Sequence, residues 1–422
     1  MSLRGPLRSV ADAETRARRR LPKAVRLALT GGSGSGELLH RNVECFRDLV
    51  LDARVGDQPA QPVTRTTVLG LDLSLPVLIS PVGAQAVRPH AELAAARATA
   101  RVGTSLGISN FADTPIEDVV RANPSTLAQL YWAGTRDEIA ERIHRFRTAG
   151  AAGLIFTLDW SVNPGVDWTT FPIYESVDLR TLLTFGPQVM TRPRWLADYL
   201  RSTGLPTLRT PNFASSMRPD PTFAEMLRLL NNGPRPTWDD VAWVKEQWGM
   251  DRPFMVKGVL NADDAARAVD CGATAISVSN HGGNDFDGEM TPVEALPAVV
   301  ARVGKQVEVL MDGGVRRGSD VVKALALGAR AVLVGRAYLW ALAARGETGV
   351  VEMLEGMQAG IEQAMRVVRA SHVDEIRSEH VLGFRASMST STHSGRRVRT
   401  GEQVLGHAES NAHDQVPVRH GR

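Results

Sequence analysis

The sequence has few cysteines, few aromatic residues and no long apolar run. Cys45 and Cys271 are too few for a disulfide framework, and their separation does not match a metal-binding motif. No run of about eighteen apolar residues occurs, so no membrane-spanning helix is predicted. The N-terminus lacks the apolar core of a signal peptide, and we therefore expect a cytoplasmic protein without a membrane partner.

The chain also lacks a large excess of charge of one sign. Its 422 residues carry a formal net charge of +3, with 43% hydrophobic and 23% charged residues, as in ordinary globular proteins. Residues 1–26 hold eight Lys/Arg against two acids, whereas the body of the chain is net acidic. This distribution disfavours a nucleic-acid partner, and we interpret the basic N-terminus as a solvated helix.

From Leu75 onwards, short apolar segments alternate with helical segments. Eight strands at this spacing predict an α/β fold, a (β/α)8 TIM barrel. A doubly wound open sheet is the alternative, but no G-x-G-x-x-G follows the first strand. The predicted strands are Pro76–Ser80, Ser105–Ile108, Leu127–Tyr131, Leu154–Leu158, Phe254–Val256, Ala275–Val278, Val307–Met311 and Ala331–Val334.

The boundaries of the barrel follow from changes in this pattern. We expect an N-terminal helical segment over residues 1–66, the barrel over 67–384, and a polar, disordered tail over 385–422, where four of the ten histidines lie without a predicted metal role. Gly31–Gly36 is interpreted as a flexible break. Residues 160–236 lack periodicity and are interpreted as an irregular lid insertion after the fourth strand. Helix starts are predicted at Thr114, Thr135, Thr237 and Asn261.

The segment Ile276–Asp287, ISVSNHGGNDFD, contains the best candidate for a catalytic base. Its apolar start reads as a buried strand, so Ser279, Asn280 and His281 lie where the strand ends and loops carry chemistry. A lone histidine is more often a satisfied core residue. Here polar neighbours and two following glycines open the backbone beside the ring, and we interpret His281 as the base.

A second glycine-rich turn, MDGGVRRG at Met311–Gly318, predicts a phosphate site. Barrels bind phosphate near strands seven and eight through backbone N–H groups and basic side chains. Arg316 follows strand seven and Arg336 follows strand eight, so two cations are expected at one end of the barrel. Lys257, at the end of strand five, would place a further positive charge beside the ligand.

The motifs LPKAV, SPVGAQ, QLYW, VKGV, SNHGG, DGGVRRGSDVVKALALGA and VGRAYLW together resemble the FMN-dependent α-hydroxy acid oxidase/dehydrogenase family over about residues 20–380. The resemblance implies an FMN cofactor and a histidine that takes a substrate proton. It implies that Asp159 orients His281, with Tyr131 and Lys257 as further catalytic residues. The FMN contacts that it implies are Pro81, Val82, Gly83, Ser109, Gln129, Thr157, Lys257, Ser279, Asp312, Gly314, Arg316, Gly335 and Arg336.

The chain departs from the family where the substrate carboxylate is held. Asn284 and Val166 occupy the positions of the two expected arginines, and Ala28 occupies the position of one expected tyrosine. Of the four expected carboxylate-binding residues, only Tyr131 is present. A buried carboxylate needs a cationic partner, so we expect a neutral or cationic substrate. A lid arginine (Arg192, Arg194 or Arg209) is the alternative source of that charge. The substrate residues implied are Tyr131, His281, Asn284, Phe111 and Trp160.

These departures, with TxDW at Thr157–Trp160, TRPRWL at Thr191–Leu196 and PTWDDVAW at Pro236–Trp243, are similar to one subgroup of the family. That subgroup oxidatively deaminates a neutral amino-lactam derived from a ribosomal peptide. The resemblance implies dioxygen as electron acceptor, release of hydrogen peroxide and a homotetramer. The alternatives are a lactate-type 2-hydroxy acid oxidase or dehydrogenase, an oxidase tailoring a related peptide or natural product, and a catalytically silent barrel.

Overall fold

Eight parallel strands close into a barrel in the computed structural model, which describes residues 5–84, 86–160 and 179–384. Each strand pairs with the next in the chain, and the last strand returns to the first, with Leu333 opposite Leu78. The strands are apolar and buried on both faces, as expected for a parallel sheet enclosed by helices. The closed ring confirms the predicted (β/α)8 barrel and excludes the open sheet.

The barrel strands lie within two residues of most of their predicted bounds. They are β4 (Val77–Ile79), β5 (Leu106–Ile108), β6 (Thr126–Leu130), β7 (Gly153–Thr157), β8 (Phe254–Val259), β9 (Ala275–Val278), β10 (Glu308–Met311) and β11 (Ala331–Val334). The helices that follow them are α4 (Ala91–Val102), α5 (Ile116–Ala122), α6 (Arg136–Thr148), α10 (Trp238–Trp248), α11 (Ala262–Asp270), α12 (Pro292–Val303), α13 (Gly318–Ala326) and α14 (Arg336–Val368, bent at Gly346).

The N-terminal elements pack against the barrel and pair with the C-terminal strand. They are α1 (Val10–Arg20), α2 (Lys23–Thr30), α3 (Glu37–Asp48), β1 (Leu49–Leu51), and the hairpin β2 (Thr66–Val68) and β3 (Leu71–Leu73). β1 pairs with the C-terminal strand β12 (Val381–Phe384). Val68, Leu69 and Leu73 of the hairpin join the apolar layer of the barrel interior, so the hairpin closes the end opposite the catalytic loops. The domain boundaries at residues 66 and 384 remain our proposal.

The Gly31–Gly36 loop is held in place by the catalytic loop, so its interpretation as a flexible break is wrong. The Ser33 N–H donates to the carbonyl of Gly283 (3.0 Å). The Asp287 carboxylate accepts from the N–H groups of Ser35, Glu37 and Leu38, at 3.0, 3.3 and 2.8 Å. Asp287 thus supplies, from a distant part of the chain, the cap that the glycine before α3 cannot provide.

The insertion after β7 is more regular than expected. Within its described part it contains α7 (Leu179–Met190), α8 (Pro193–Ser202) and α9 (Phe223–Asn232). The prolines in this part of the sequence argued against helices. Pro193, however, occupies the first turn of α8, where a missing N–H does not disrupt the helix. The prediction of an irregular insertion is therefore wrong for residues 179–232, and its first part, residues 161–178, lies outside the described residues.

Helix starts were predicted correctly where a side chain caps the backbone directly. Thr135 and Thr237 form capping boxes, and the Asn261 side chain accepts from the next turn. Thr114 does not cap α5, which begins after Pro115; its hydroxyl donates instead to Glu92 Oε2 (3.1 Å). A buried carboxylate thus competed successfully for the hydroxyl.

No helix in the described part of the chain has both the length and the apolar character needed to cross a membrane. The predicted disordered tail lies outside the described residues.

Candidate active site

The carboxyl ends of the barrel strands surround one large cavity of about 860 Å³. The loops after the strands line its floor, while α2, α7 and α8 contribute its apolar walls. This is the end of a barrel where catalytic residues are found. Predicted residues that line it are Pro81, Val82, Gly83, Ser109, Phe111, Tyr131, Trp160, Lys257, His281, Asn284, Asp312, Gly314, Arg316, Gly335 and Arg336.

His281 is held through both ring nitrogens. Its Nδ1 lies 2.8 Å from Asp159 Oδ1, and its Nε2 lies 3.3 Å from the Tyr131 hydroxyl. With Nδ1 donating to the carboxylate, Nε2 is left as an acceptor that faces the cavity. The backbone at His281 has a φ of +53°, a conformation rare for a non-glycine residue. Such strain is characteristic of functional loops.

Asp159, Lys257, Ser279 and Asp312 form a buried charged network beneath His281. Lys257 Nζ lies 3.1 Å from Asp312 Oδ2, 3.7 Å from Asp159 Oδ2, and 2.7 Å from Ser279 Oγ. Ser279 Oγ donates to Asp312 Oδ1 (2.8 Å) and accepts from the N–H of His281 (3.1 Å). The resemblance placed Asp312 on the phosphate side; the structure places it against Lys257.

The network fixes the charge state of its members. Burial alone would raise the pKa of Asp159, but His281 and Lys257 hold it well below its usual value. Burial alone would lower the pKa of Lys257, but Asp159 and Asp312 raise it. Burial, followed by the charges of nearby carboxylates, raises the pKa of Tyr131 well above 10. Asp159 is therefore an anion, Lys257 a cation and Tyr131 a neutral phenol.

Ser109, Gln129 and Thr157 form a polar chain across the ends of β5, β6 and β7. Ser109 Oγ donates to Gln129 Oε1 (3.2 Å), and Gln129 Nε2 donates to Thr157 Oγ1 (3.2 Å). Gln129 is oriented further by the N–H of Asn110 (3.0 Å). Ser109 lines the cavity, while Gln129 and Thr157 are buried behind it. The chain offers fixed polar atoms on which a flat heterocycle could rest.

Arg316 and Arg336, which follow β10 and β11, give one part of the cavity a positive charge. Burial and the neighbouring Arg316 lower the pKa of Arg336 from 12.5 to about 9, and burial lowers that of Arg316. Neither forms a salt bridge with a residue that the structure describes; Arg336 donates to the carbonyls of Leu29, Gly31 and Gly282. Two adjacent, partly buried cations are unfavourable without an anion. The residues present therefore fit the phosphate of FMN.

The glycine at position 314 has a further structural cause. A Cβ there would lie 1.9 Å from the carbonyl oxygen of Asn42 on α3, and φ is +86°. Glycine is thus required both for the turn after β10 and for the approach of the N-terminal segment. Sequence reasoning recognised only the first role.

Aromatic side chains build the wall around Tyr131 and His281. The ring of Phe111 lies 4.8 Å from that of Phe213 and 5.0 Å from that of Phe223. Trp160 lies 5.6 Å from the His281 ring, and its Nε1 donates to Asn231 Oδ1 of α9 (2.8 Å). Phe213, Phe223 and Asn231 were missed because they lie outside the motifs recognised in the insertion, such as TRPRWL at Thr191–Leu196.

Among the described residues, the Arg142 guanidinium lies 5.6 Å from the centroid of the Phe213 ring, but Arg142 does not line the cavity. The cationic side chains that line the cavity are Lys257, Arg316 and Arg336. The lid arginines Arg192, Arg194 and Arg209 do not line it: Arg192 donates to the carbonyl of Leu21, Arg209 pairs with Asp220, and Arg194 lies in a separate cleft. Residues 161–178, which include Val166, lie outside the described residues and contain no arginine or lysine.

Ala28 and Asn284, which replace a tyrosine and an arginine of the family pattern, lie in different parts of the cavity. Ala28 lies on α2 and lines the cavity, so a tyrosine there would reach into it. Asn284, predicted to contact substrate, accepts from Arg336 Nη2 (3.2 Å) and thus lies beside the phosphate-side arginine.

Glu289, an acid near His281, was not selected as a site residue from the sequence. Asp285 is buried, and burial together with the charges of Asp285 and Asp159 raises the pKa of Glu289 from 4.5 to about 7. Only the NDFD pattern after the glycines pointed to this loop.

Comparison with known proteins agrees with this geometry. Residues 17–382 match the family model described as FMN-dependent dehydrogenase. Pre-mycofactocin synthase of Mycolicibacterium smegmatis is 47% identical over 390 residues, covering 92% of this chain and 97% of that protein. Pre-mycofactocin synthase of Mycobacterium tuberculosis (strain CDC 1551 / Oshkosh) is 49% identical over 374 residues, covering 89% and 94%.

A solved structure has a similar fold over most of the chain. The crystal structure of monotopic membrane protein (S)-mandelate dehydrogenase superimposes with a TM-score of 0.81 at 32% identity, covering 89% of this chain and 99% of that one. From the barrel, the His281–Asp159 pair, the two arginines that line the cavity and these matches, we conclude that the chain belongs to the FMN-dependent dehydrogenase family and is an FMN-dependent oxidoreductase.

Proposed function

We propose that the protein oxidatively deaminates a neutral, peptide-derived amino-lactam to an α-keto lactam in mycofactocin biosynthesis. The observation that carries this proposal is the selective composition of the cavity. It combines the His281–Asp159 pair and the cationic phosphate end with a substrate side that is aromatic and, among described residues, without an arginine. A carboxylate substrate would lose its hydration there without gaining a partner.

The proposed roles follow from the hydrogen bonds. His281 accepts at Nε2 a proton from the substrate amine, and Asp159 stabilises the resulting imidazolium through Nδ1. Tyr131, kept neutral by its surroundings, donates a hydrogen bond to a polar group of the lactam. Lys257 supplies a fixed positive charge beneath the ligand. Phe111 and Trp160 enclose the ring of the substrate.

The atoms and electrons of the reaction balance. The substrate carbon loses a hydride and its nitrogen loses a proton, and water converts the imine to ketone and ammonia. FMN, if bound by the residues named above, would supply the hydride acceptor, and dioxygen would take the two electrons and two protons lost by the substrate to become hydrogen peroxide.

The comparisons support the proposed pathway. Both bacterial relatives that carry the name pre-mycofactocin synthase cover at least 89% of this chain. We further propose a homotetramer, as the family resemblance implies.

Anaerobic mixing of the purified yellow protein with candidate substrates tests the proposal. A 3-amino-2-pyrrolidinone bearing a 4-hydroxybenzyl group should bleach the flavin absorbance, whereas lactate and mandelate should leave it unchanged at low millimolar concentration. Bleaching by the hydroxy acids, with none by the amino-lactam, would contradict it.

A 2-hydroxy acid oxidase or dehydrogenase is the second candidate, because the mandelate dehydrogenase structure is so similar. The position of the lid arginines away from the cavity argues against it. The same experiment separates the two.

A further inference from the structure

Glu92, in the first turn of α4, is a buried acid that the proposed reaction does not use. Its side chain is 3% exposed, and it forms no salt bridge with a residue that the structure describes. A carboxylate buried without a cation is unfavourable unless hydrogen bonds compensate for its lost hydration. The contacts of Glu92 therefore decide both its charge and its role.

Glu92 joins two loops that line the active-site cavity. Its Oε1 accepts from the N–H of Ala84 (3.0 Å), in the loop of residues 81–84 after β4. Its Oε2 accepts from the hydroxyl of Thr114 (3.1 Å), in the loop of residues 109–114 after β5. The cavity-lining residues that these two loops carry are Pro81, Val82, Gly83, Ser109 and Phe111. One carboxyl group thus connects the predicted FMN-contact loop with the aromatic wall.

The two loops also touch each other directly. A Cβ at Gly83 would lie 2.8 Å from the carbonyl oxygen of Phe111 and 2.9 Å from its Cβ. An approach this close leaves no room for a side chain at Gly83, so a small shift of either loop changes the contact. Glu92 does not line the cavity and holds the two loops from behind.

The carboxyl group of Asp113 is the nearest charged neighbour of Glu92. The two carboxyls are hydrogen-bonded to each other, and Asp113 is half-buried. Two carboxylates at this separation are not both ionised without a large cost. Burial, followed by the charge of Asp113, raises the pKa of Glu92 well above its usual value. Glu92 is therefore protonated at neutral pH.

The other groups that face Glu92 bring no compensating positive charge. The phenols of Tyr199 on α8 and Tyr338 on α14 lie close to it, and burial raises the pKa of both, so both are neutral. Beside Tyr199, Arg88 is 3.8 Å from Asp198 and pairs with that carboxylate.

We propose that Glu92 is a positioning residue that donates its proton in a hydrogen bond to Asp113 and thereby holds the loops 81–84 and 109–114 together around FMN and the substrate. A protonated carboxyl can donate through its hydroxyl while its other oxygen accepts from the N–H of Ala84. The part assigned to Phe111 rests on the proposed function, whereas the test below contains no substrate.

Denaturant unfolding of the FMN-loaded protein at several pH values tests whether Glu92 carries this proton. In the unfolded chain Glu92 ionises above about pH 4.5, whereas in the folded protein it remains protonated. The raised pKa thus favours folding below pH 4.5, and this contribution decreases as pH rises. The unfolding constant of the parent, divided by that of Glu92→Gln, should rise about tenfold per pH unit between about pH 5 and 6.5. A ratio that is independent of pH would overturn the proposal.

Release of FMN on dilution of the yellow protein, followed by flavin fluorescence, tests the positioning role. Glu92→Ala should weaken FMN binding at least about tenfold, because the N–H of Ala84 loses its acceptor. Glu92→Gln accepts through its oxygen and donates through its nitrogen, as a protonated glutamate does, and should recover most of this loss. Glu355→Ala, at an exposed position on α14, is the matched control and should release FMN like the parent.

Equal release of FMN by the parent and Glu92→Ala would show that Glu92 does not position the FMN-contact loop. A Glu92→Gln variant as weak as Glu92→Ala would also overturn the proposal, since an ionised carboxylate would then be required. If Glu92→Ala does not fold, the comparison of the parent with Glu92→Gln decides the question by itself. Flavin bleaching by hydroxy acids and not by the amino-lactam would refute the proposed function and leave both of these results unaffected.

Discussion

At the scale of single residues, the proposed chemistry depends on a histidine that is held through both ring nitrogens. Asp159 sets the tautomer of His281 and Tyr131 limits the rotation of its ring. The carboxylate is itself kept ionised by Lys257. Removal of one member therefore alters the charge or orientation of the next, and single substitutions in this network should not be additive.

Replacement of His281 by alanine should leave FMN binding nearly intact and slow flavin reduction by about 10²–10⁴-fold, the usual contribution of a positioned base. Stopped-flow absorbance under anaerobic conditions measures this rate. His144→Ala, at an exposed position on α6, is the matched control and should reduce its flavin at the parent rate. A parent-like rate in His281→Ala would show that another group takes the proton.

Trp160→Ala removes one wall of the substrate side while leaving the His281–Asp159 contact in place. Loss of a buried aromatic surface of this kind costs about 1.5–3 kcal/mol, which corresponds to a rise in KM of about ten- to a hundredfold. Steady-state kinetics should show a much smaller change in kcat. Asn231→Ala frees only the indole N–H and should give a weaker effect of the same kind.

At the scale of elements, two carboxylates, the buried Glu138 and the half-buried Asp287, join the insertion and the N-terminal segment to the barrel. Glu138 at the start of α6 binds Arg218 and Ser215 of the insertion. Asp287 binds the start of α3. Glu138 lies close in sequence to Tyr131, and Asp287 lies close to His281. The insertion and the N-terminal segment are therefore attached near the proposed active site.

Asp287→Ala should destabilise the protein by about 1–2 kcal/mol, the usual cost of losing a helix cap. Urea denaturation followed by flavin fluorescence measures this change. Asp287→Asn retains one acceptor oxygen and should recover part of the loss. If the alanine variant were as stable as the parent, the contact between Asp287 and α3 would not contribute to the fold.

Acid should weaken the attachment of the insertion. Burial alone would raise the pKa of Glu138, but Arg218, Thr135 and Ser215 lower it from 4.5 to about 2. A depressed pKa means that Glu138 stabilises the fold above pH 4.5 and that this contribution disappears as pH falls towards 2. Allowing for solvent screening, Glu138→Gln should cost about 1–2 kcal/mol at neutral pH. The difference from the parent should vanish near pH 2 in thermal melts.

At the scale of the whole molecule, Glu138 and Glu289 have opposite effects on how the free energy of unfolding depends on pH. The pKa of Glu289 is raised from 4.5 to about 7, so the folded state binds its proton more tightly than the unfolded chain does. This group therefore favours folding below pH 4.5, and its contribution is lost as pH rises to 7. With Glu138, it should place maximal stability on the acidic side of neutrality.

Glu289→Gln should abolish its share of the stability loss between pH 4.5 and 7, about 1 kcal/mol after allowance for partial exposure. Chemical denaturation at pH 5.5 and 7.5 measures the difference. An unchanged slope in the variant would show that Glu289 titrates normally.

The sequence by itself determined the barrel, the positions of its strands and the identity of the residues at their carboxyl ends. These features depend on local patterns: β-branched apolar runs specify buried strands, and glycines and polar residues after them specify loops. The VKGV, SNHGG, DGGVRRG and VGRAYLW motifs therefore predicted that Lys257, His281, Arg316 and Arg336 would lie at the same end of the barrel, and all four line one cavity.

Only the tertiary structure decided which groups contact one another across the chain. Asp312 lies 3.1 Å from Lys257 because β9 pairs with both β8 and β10, and the sequence did not indicate this contact. Asp287 became the cap of α3 because the Gly31–Gly36 loop folds over the catalytic loop. The contacts of Asp287 join residues about 250 positions apart, and local sequence preference carries no information about them.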